Sequence, residues 1–94
     1  MASVSVRFVG PWRMYLGVEF TTLMAGTVED ALEQVEAGYG HKYHQRLMKS
    51  GITEKRCICD DSNILLNRVH IRQITDHSLK DGDKIDIIPR FVGG

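Results

Sequence analysis

The segment KDGDKIDIIPRFVGG, residues 80–94, decides how the rest of the chain is read. It opens on Asp81-Gly82-Asp83, a polar turn in which glycine supplies the positive φ that other residues resist. Residues 84–88 then alternate, with Ile85 and Ile87 on one face and Asp86 and Ile88 on the other, as in a strand. Pro89 cannot donate to a ladder and marks the strand's end. Two glycines at 93 and 94 then carry a carboxylate on a thin, side-chain-free stalk, a geometry suited to entering another protein.

The N-terminal third shows the same period. Residues 3–9 place Val4, Val6 and Phe8 on one face and Ser3, Ser5 and Arg7 on the other. Gly10-Pro11 ends that run, and residues 15–23 alternate again, setting Leu16, Val18 and Phe20 against Gly17, Glu19 and Thr21. Together they predict an N-terminal β-hairpin. Thr27 then suits a helix N-cap, its hydroxyl able to accept from the backbone N–H near Asp30, while Glu29 and Asp30 face the positive end of the helix dipole. Val28, Ala31, Leu32 and Val35 form one apolar stripe, and Gly38 is expected to end the helix. A second helical piece is expected over 41–49, stopped by Ser50-Gly51.

Beyond it the elements are short. Residues 55–60 (KRCICD) read as an edge or irregular strand, 64–67 as a brief apolar run, and 69–74 as another alternating segment. A hairpin, a helix and then short strands specify an α+β domain, one helix packed across a mixed sheet of four to five strands. The first and last long strands, densest in apolar residues, are expected to pair in parallel at its centre. The domain is expected to span 1–89, with 90–94 as a flexible tail.

Length and charge exclude several classes of function. Ninety-four residues fit one domain, which buries roughly 60–65% of the surface its unfolded chain exposes. Lys and Arg balance Asp and Glu at 12 each, so there is no basic footprint for nucleic acid. No apolar run approaches the roughly 18 residues of a membrane span, and the N-terminus lacks the basic and apolar regions of a signal peptide, so a cytoplasmic protein is expected.

The chemistry-bearing side chains have plain readings. Cys57 and Cys59 lack the further ligands that zinc or an iron–sulfur cluster needs, and on one face of a strand they read as small core residues. His41 and His44 are a solvated pair, and His70 and His77 are isolated. Asp81 and Asp83 are turn-makers, and Glu29, Asp30, Glu33 and Glu36 form the solvated face of a helix. No nucleophile–base spacing, phosphate loop or metal constellation is present, so an enzyme acting alone is not expected.

The order of elements is that of the β-grasp fold of ubiquitin, and the C-terminal third resembles the MoaD/ThiS family of sulfur carriers. The residues that carry this resemblance are Leu66-Asn67, Leu79, the turn Asp81-Gly82-Asp83, the strand 84–88, Pro89 and Gly93-Gly94. Two features depart from the family pattern. Asn67 is followed by Arg68 where the family usually has glycine, and residues 38–61 are longer than in the smallest carriers, more like the larger MoaD-like proteins and archaeal ubiquitin-like modifiers.

The resemblance implies a carrier with no catalytic group and no bound cofactor. A C-terminal carboxyl, with a pKa near 3.5, is ionised at neutral pH and is a poor electrophile until activated. A ubiquitin-activating-type adenylyltransferase (MoeB/ThiF-like) would use ATP to adenylate Gly94, and sulfur from a persulfide would replace AMP to leave a thiocarboxylate. Gly93 would pass the partner's channel, and the five residues after Pro89 reach roughly 17 Å when extended. Ile88, Phe91 and Val92 are the expected docking residues for partners, which would include a larger MoaE-like synthase subunit. Molybdopterin synthesis is the first choice of pathway. The alternatives are thiamine or tRNA thiolation, an isopeptide-forming modifier acting through Gly94, and a non-covalent binding module.

Overall fold

Strand β1 (Ala2–Phe8) buries Val4, Val6 and Phe8 and turns Ser3, Ser5 and Arg7 outward, so the alternation in the sequence becomes an inner and an outer face. This computed structural model describes residues 1–54 and 56–90. The remaining elements are helix α1 (Pro11–Leu16), β2 (Phe20–Ala25), α2 (Val28–Lys49), β3 (Ser62–Leu66), β4 (Val69–His70) and β5 (Lys84–Pro89). Single 3₁₀ turns lie at Cys59–Asp61 and Ile71–Gln73.

The strands form one five-stranded mixed sheet in the order β2-β1-β5-β3-β4. As expected, β1 and β5 pair in parallel, with Val6 beside Ile85 and Phe8 beside Ile87. All four of these side chains are fully buried, each worth roughly 1.5–3 kcal/mol in transfer from water. The helix α2 crosses the inner face with Val28, Ala31, Val35, Tyr43 and Leu47 buried. Its start is the predicted cap, the Thr27 hydroxyl accepting from Asp30 N–H at 3.1 Å. The result is the expected α+β, ubiquitin-like β-grasp architecture.

Four local expectations are corrected. Residues 15–23 are not one strand, because Trp12 and Leu16 are both fully buried at helical spacing, Pro11 starts helix α1, and Gly17 closes it with φ 72°. The strands β1 and β2 still pair antiparallel, joined through α1 rather than by a tight turn. Gly38 does not stop α2, which runs unbroken to Lys49. A glycine inside a helix costs about 1 kcal/mol, but Tyr39 packs edge-on against Phe8 and Tyr43 against Trp12, and those aromatic contacts outweigh it.

Residues 55–60 form no strand among those described: Ile58 is buried from a turn, and the 3₁₀ turn beyond it points Asp61 inward. Nor is 69–74 a strand throughout, since the ladder stops at His70 and Ile71–Gln73 winds into the second 3₁₀ turn. In both cases a short alternation lacks a neighbouring strand to satisfy its backbone.

Candidate functional site

The outer face of the sheet and the end of β5 form the candidate site. Register places Asn63 opposite Ile88 and Leu65 opposite Asp86 on β3, and Arg7 beside Asp86 on β1. These positions alternate with the buried ones and are half-buried or exposed, while α2 covers the other face. Ile88 therefore lies half-buried on the uncovered face, at the last turn of the ladder before Pro89.

The end of β5 is held from two sides. Pro89 sits opposite Ser62, and the Arg90 N–H donates to the Asp61 carbonyl at 2.8 Å. The Arg90 Nε donates to Asn63 Oδ1 at 3.2 Å. Ser62 is itself anchored in the core, its hydroxyl accepting from Trp12 Nε1 at 2.9 Å and donating to the Ile58 carbonyl at 2.6 Å. Asp61 is equally fixed: its buried carboxylate accepts from Arg56 Nε at 2.8 Å, from a second guanidinium nitrogen and from the Tyr43 hydroxyl.

The electrostatics of this group are self-consistent. The Arg56 guanidinium holds the Asp61 carboxyl below the usual carboxylate range, against the burial that would raise it. Burial, and after it the neighbouring carboxylate, pushes the Tyr43 phenol above its ordinary value, so it stays protonated and donates. A cavity of about 470 Å³, lined in part by Tyr15, Tyr43, Ile52 and Arg56, opens beside this cluster.

The start of β5 is fixed by the predicted turn. Asp81 Oδ1 accepts from Ser3 N–H at 2.8 Å, Asp83 Oδ2 accepts from Lys80 N–H at 2.8 Å, and Gly82 has φ 89°. Asn67 closes the connection, donating to Asp83 Oδ1 at 3.1 Å and accepting from Lys84 N–H at 3.0 Å. Asn67 and Arg68 form the two-residue loop between β3 and β4 with φ 50° and 72°, a left-handed pair in which the second position ordinarily belongs to glycine.

Of the other predicted residues, Gly93, Gly94, Phe91 and Val92 lie outside the described residues. Cys57 and Cys59 are not the small core residues expected: Cys57 is exposed and Cys59 half-buried, because the segment turns instead of extending. The Cys59 N–H donates to Glu36 Oε1 at 2.9 Å, and burial, with the Glu36 carboxylate next, pushes its thiol up to about 12. It is therefore a thiol at neutral pH and a weak nucleophile. His41 is exposed, and His44 is half-buried with no hydrogen-bond partner for Nδ1 among the described residues.

His77 is not isolated, since Nδ1 faces Glu29 at 2.5 Å and Nε2 faces the carbonyls of Ile71 and Ile74. Glu29, Asp30 and Glu36 are likewise engaged rather than merely solvated. Among the described residues no group of three or more His, Cys, Asp and Glu is placed to hold a metal ion, and no helix is long and apolar enough to cross a membrane.

The Asp61–Arg56–Tyr43 cluster had no sequence signature, because Arg56 and Asp61 are five apart in a segment with no regular spacing. Trp12, whose indole N–H requires an acceptor once buried, points only to the neighbouring Ser62.

The model of the ThiS family matches residues 6–94. Among curated proteins none matches the sequence. Several solved structures share the fold, three of which illustrate its range. The small archaeal modifier protein 1 (SAMP1) from Methanosarcina acetivorans is 29% identical, with a TM-score of 0.72, covering 100% of this chain and 98% of that one. The Haloferax volcanii HVO 2177 protein is 26% identical, with a TM-score of 0.65, covering 99% of this chain and 87% of that one. The third, at 24% identity and a TM-score of 0.62, is the Helicobacter pylori complex of subunits 1 and 2 of molybdopterin-converting factor, covering 98% of this chain and 99% of that one.

Proposed function

This chain belongs to the ThiS family, and from that premise we propose that it is a cytoplasmic sulfur carrier that works through Gly94. The observation that carries the reading is the extent of the family match, which runs to residue 94 and so includes Gly93-Gly94. The fixed end of β5 supports it: Arg90 is tied to Asp61 and Asn63, so the chain leaves the domain from a defined point.

The chemistry proceeds on a partner. The Gly94 carboxylate attacks the α-phosphate of ATP on an adenylyltransferase, forming the acyl-adenylate and releasing pyrophosphate. A persulfide sulfur then attacks the acyl carbon and expels AMP. A second thiolate cleaves the S–S bond, leaving the thiocarboxylate on Gly94 and a disulfide on the donor. Ile88, Phe91 and Val92 dock the partner, and Gly93, without a Cβ, lets the end thread its active site. In this reading the domain of 1–89 supplies Ile88 to docking, and the tail of 90–94 supplies Phe91 and Val92 together with the reacting end.

Molybdopterin synthesis with a larger, MoaE-like subunit is the pathway we favour; the two-subunit molybdopterin-converting complex of Helicobacter pylori, with the same fold, supports it. The test is pyrophosphate release from ATP by the cognate adenylyltransferase. Release that depends on this protein and disappears on deletion of Gly94 supports the proposal, and release unaffected by the deletion contradicts it.

A second reading is favoured by the 29% identity with SAMP1 over the whole chain: Gly94 forms isopeptide bonds to lysines of other proteins. Both readings use the same activated Gly94. Gly-Gly remnants on lysines after proteolysis of cell extract, present with the intact protein and lost with the Gly94 deletion, distinguish the modifier.

A further inference from the structure

At the end of β5 remote from the tail, the outer face carries a groove of about 680 Å³ whose walls include Ser5, Arg7, Phe20, Arg68, Lys84 and Asp86. Lys84 and Pro89 are five residues apart on one strand, about 17 Å, so this groove is separate from the tail exit.

The charges within it are unequal in a way the net charge of the chain conceals. The two carboxylates that line the groove are both in ion pairs: Asp86 pairs with Arg7 at 3.1 Å and Glu19 pairs with Arg13 at 3.5 Å. Arg68 and Lys84 are exposed and form no ion pair among the described residues. The charge that remains available at the surface is cationic, and beside it stands Phe20, 64% exposed and directly opposite Arg7 in the register.

Arg68 also occupies its place at a cost. Its φ of 72° is the left-handed conformation in which a side chain is strained, and glycine would hold the loop without that strain. A guanidinium kept where glycine suits the backbone better implies a use for the side chain.

We propose that this groove is a docking surface for an acidic protein segment, its carboxylates meeting Arg68 and Lys84 and an apolar side chain covering Phe20. Charge complementarity selects the occupant: engaged acids and free cations favour carboxylates, and an exposed aromatic favours a peptide over a small inorganic anion. Arginine adds geometry to charge, because its planar fork meets a carboxylate with two parallel hydrogen bonds. The surface does not depend on the chemistry of Gly94, and a partner of sufficient size can hold it and the tail together.

The full-length ¹⁵N-labelled protein titrated with the synthetic peptide acetyl-EELEE-amide tests the proposal. Amide shifts confined to Ser5, Phe20, Arg68, Lys84 and their neighbours are expected, with binding weakened several-fold when salt is raised to about 0.5 M. The R68E/K84E double variant should lose about tenfold or more in affinity for this peptide and gain affinity for acetyl-KKLKK-amide. Should that variant not fold, the unmodified protein still decides, since it must bind the acidic peptide and not the basic one. Shifts centred elsewhere, equal affinity in a folded R68E/K84E, or inorganic pyrophosphate binding as tightly as the peptide would each overturn it.

Discussion

The backbone N–H of Arg90 donates to the carbonyl of Asp61 at 2.8 Å, and the same Asp61 sends its carboxylate inward to Arg56 and Tyr43. One residue thus fixes where the chain leaves the sheet and is itself fixed from the core. Removing Arg56 leaves a buried carboxylate with Tyr43 alone. Arg56→Ala should lower stability, by less than the usual loss for a buried pair because the arginine side chain is 41% exposed. Urea denaturation checks the stability, and the amide exchange rate of Arg90 checks the coupling, which predicts faster exchange than in the unmodified protein.

Trp12 links the short helix α1 to the same region through its 2.9 Å bond to the Ser62 hydroxyl. It is fully buried and stacks edge-on against Tyr43 at 4.7 Å. Trp12→Ala should lose about 3–5 kcal/mol, and Ser62→Ala, which removes the hydroxyl that accepts from the indole N–H, about 1–3 kcal/mol. Equilibrium denaturation monitored by circular dichroism measures both. A loss under about 0.5 kcal/mol for either would contradict this packing.

His77 makes stability depend on pH. Its Nδ1 faces the Glu29 carboxylate and its Nε2 faces two carbonyls, so only the doubly protonated ring satisfies all its partners. The Glu29 hydrogen bond, with the Ile71 carbonyl next, raises its pKa above the ordinary value, while the nearby Asp76 adds negative charge. The stabilisation is complete below about pH 6.5 and is lost as pH rises through the raised folded value. Glu29, whose pKa the His77 bond lowers, contributes in the opposite sense, stabilising above its unfolded value and losing that as pH falls through the folded one. The melting temperature should therefore decline from pH 6 towards pH 9, and His77→Gln should flatten that decline.

Arg68 gives a prediction of the opposite sign to most substitutions. Relief of the left-handed strain at φ 72° favours Arg68→Gly, and the added freedom of glycine in the unfolded chain offsets part of the gain. A net stabilisation of about 0.5–1 kcal/mol is expected in urea denaturation. Loss of stability would mean the arginine makes a favourable contact with the fold.

The legibility of each element in the sequence depended on how local its signal was. The alternation of Val4, Val6 and Phe8, the Thr27 cap and the Asp81-Gly82 turn are settled by neighbours within a few residues, and they stand as read. The parallel pairing of β1 with β5 was also legible, from apolar density. Residues 15–23 misled because Leu16 belongs to a helix through Trp12, four positions earlier, a period hidden under an equally good alternation. Gly38 misled because its helix is held by Tyr39 and Tyr43 against partners more than 30 residues away in Phe8 and Trp12. The outward placement of Ile88 was legible from strand parity, whereas the Arg56–Asp61 pair lies in a segment with no regular spacing and the nearness of Arg68 to Lys84 depends on how β3, β4 and β5 come together in the sheet.

Transfer of sulfur to Gly94 is tested most directly by the intact mass of the protein after incubation with its adenylyltransferase, ATP and a persulfide donor. The expected result is a gain equal to the replacement of one oxygen by sulfur, located by fragmentation at Gly94 and absent without ATP. An unchanged mass, with an adenylyltransferase active on its own authenticated carrier, would contradict the proposed role of Gly94.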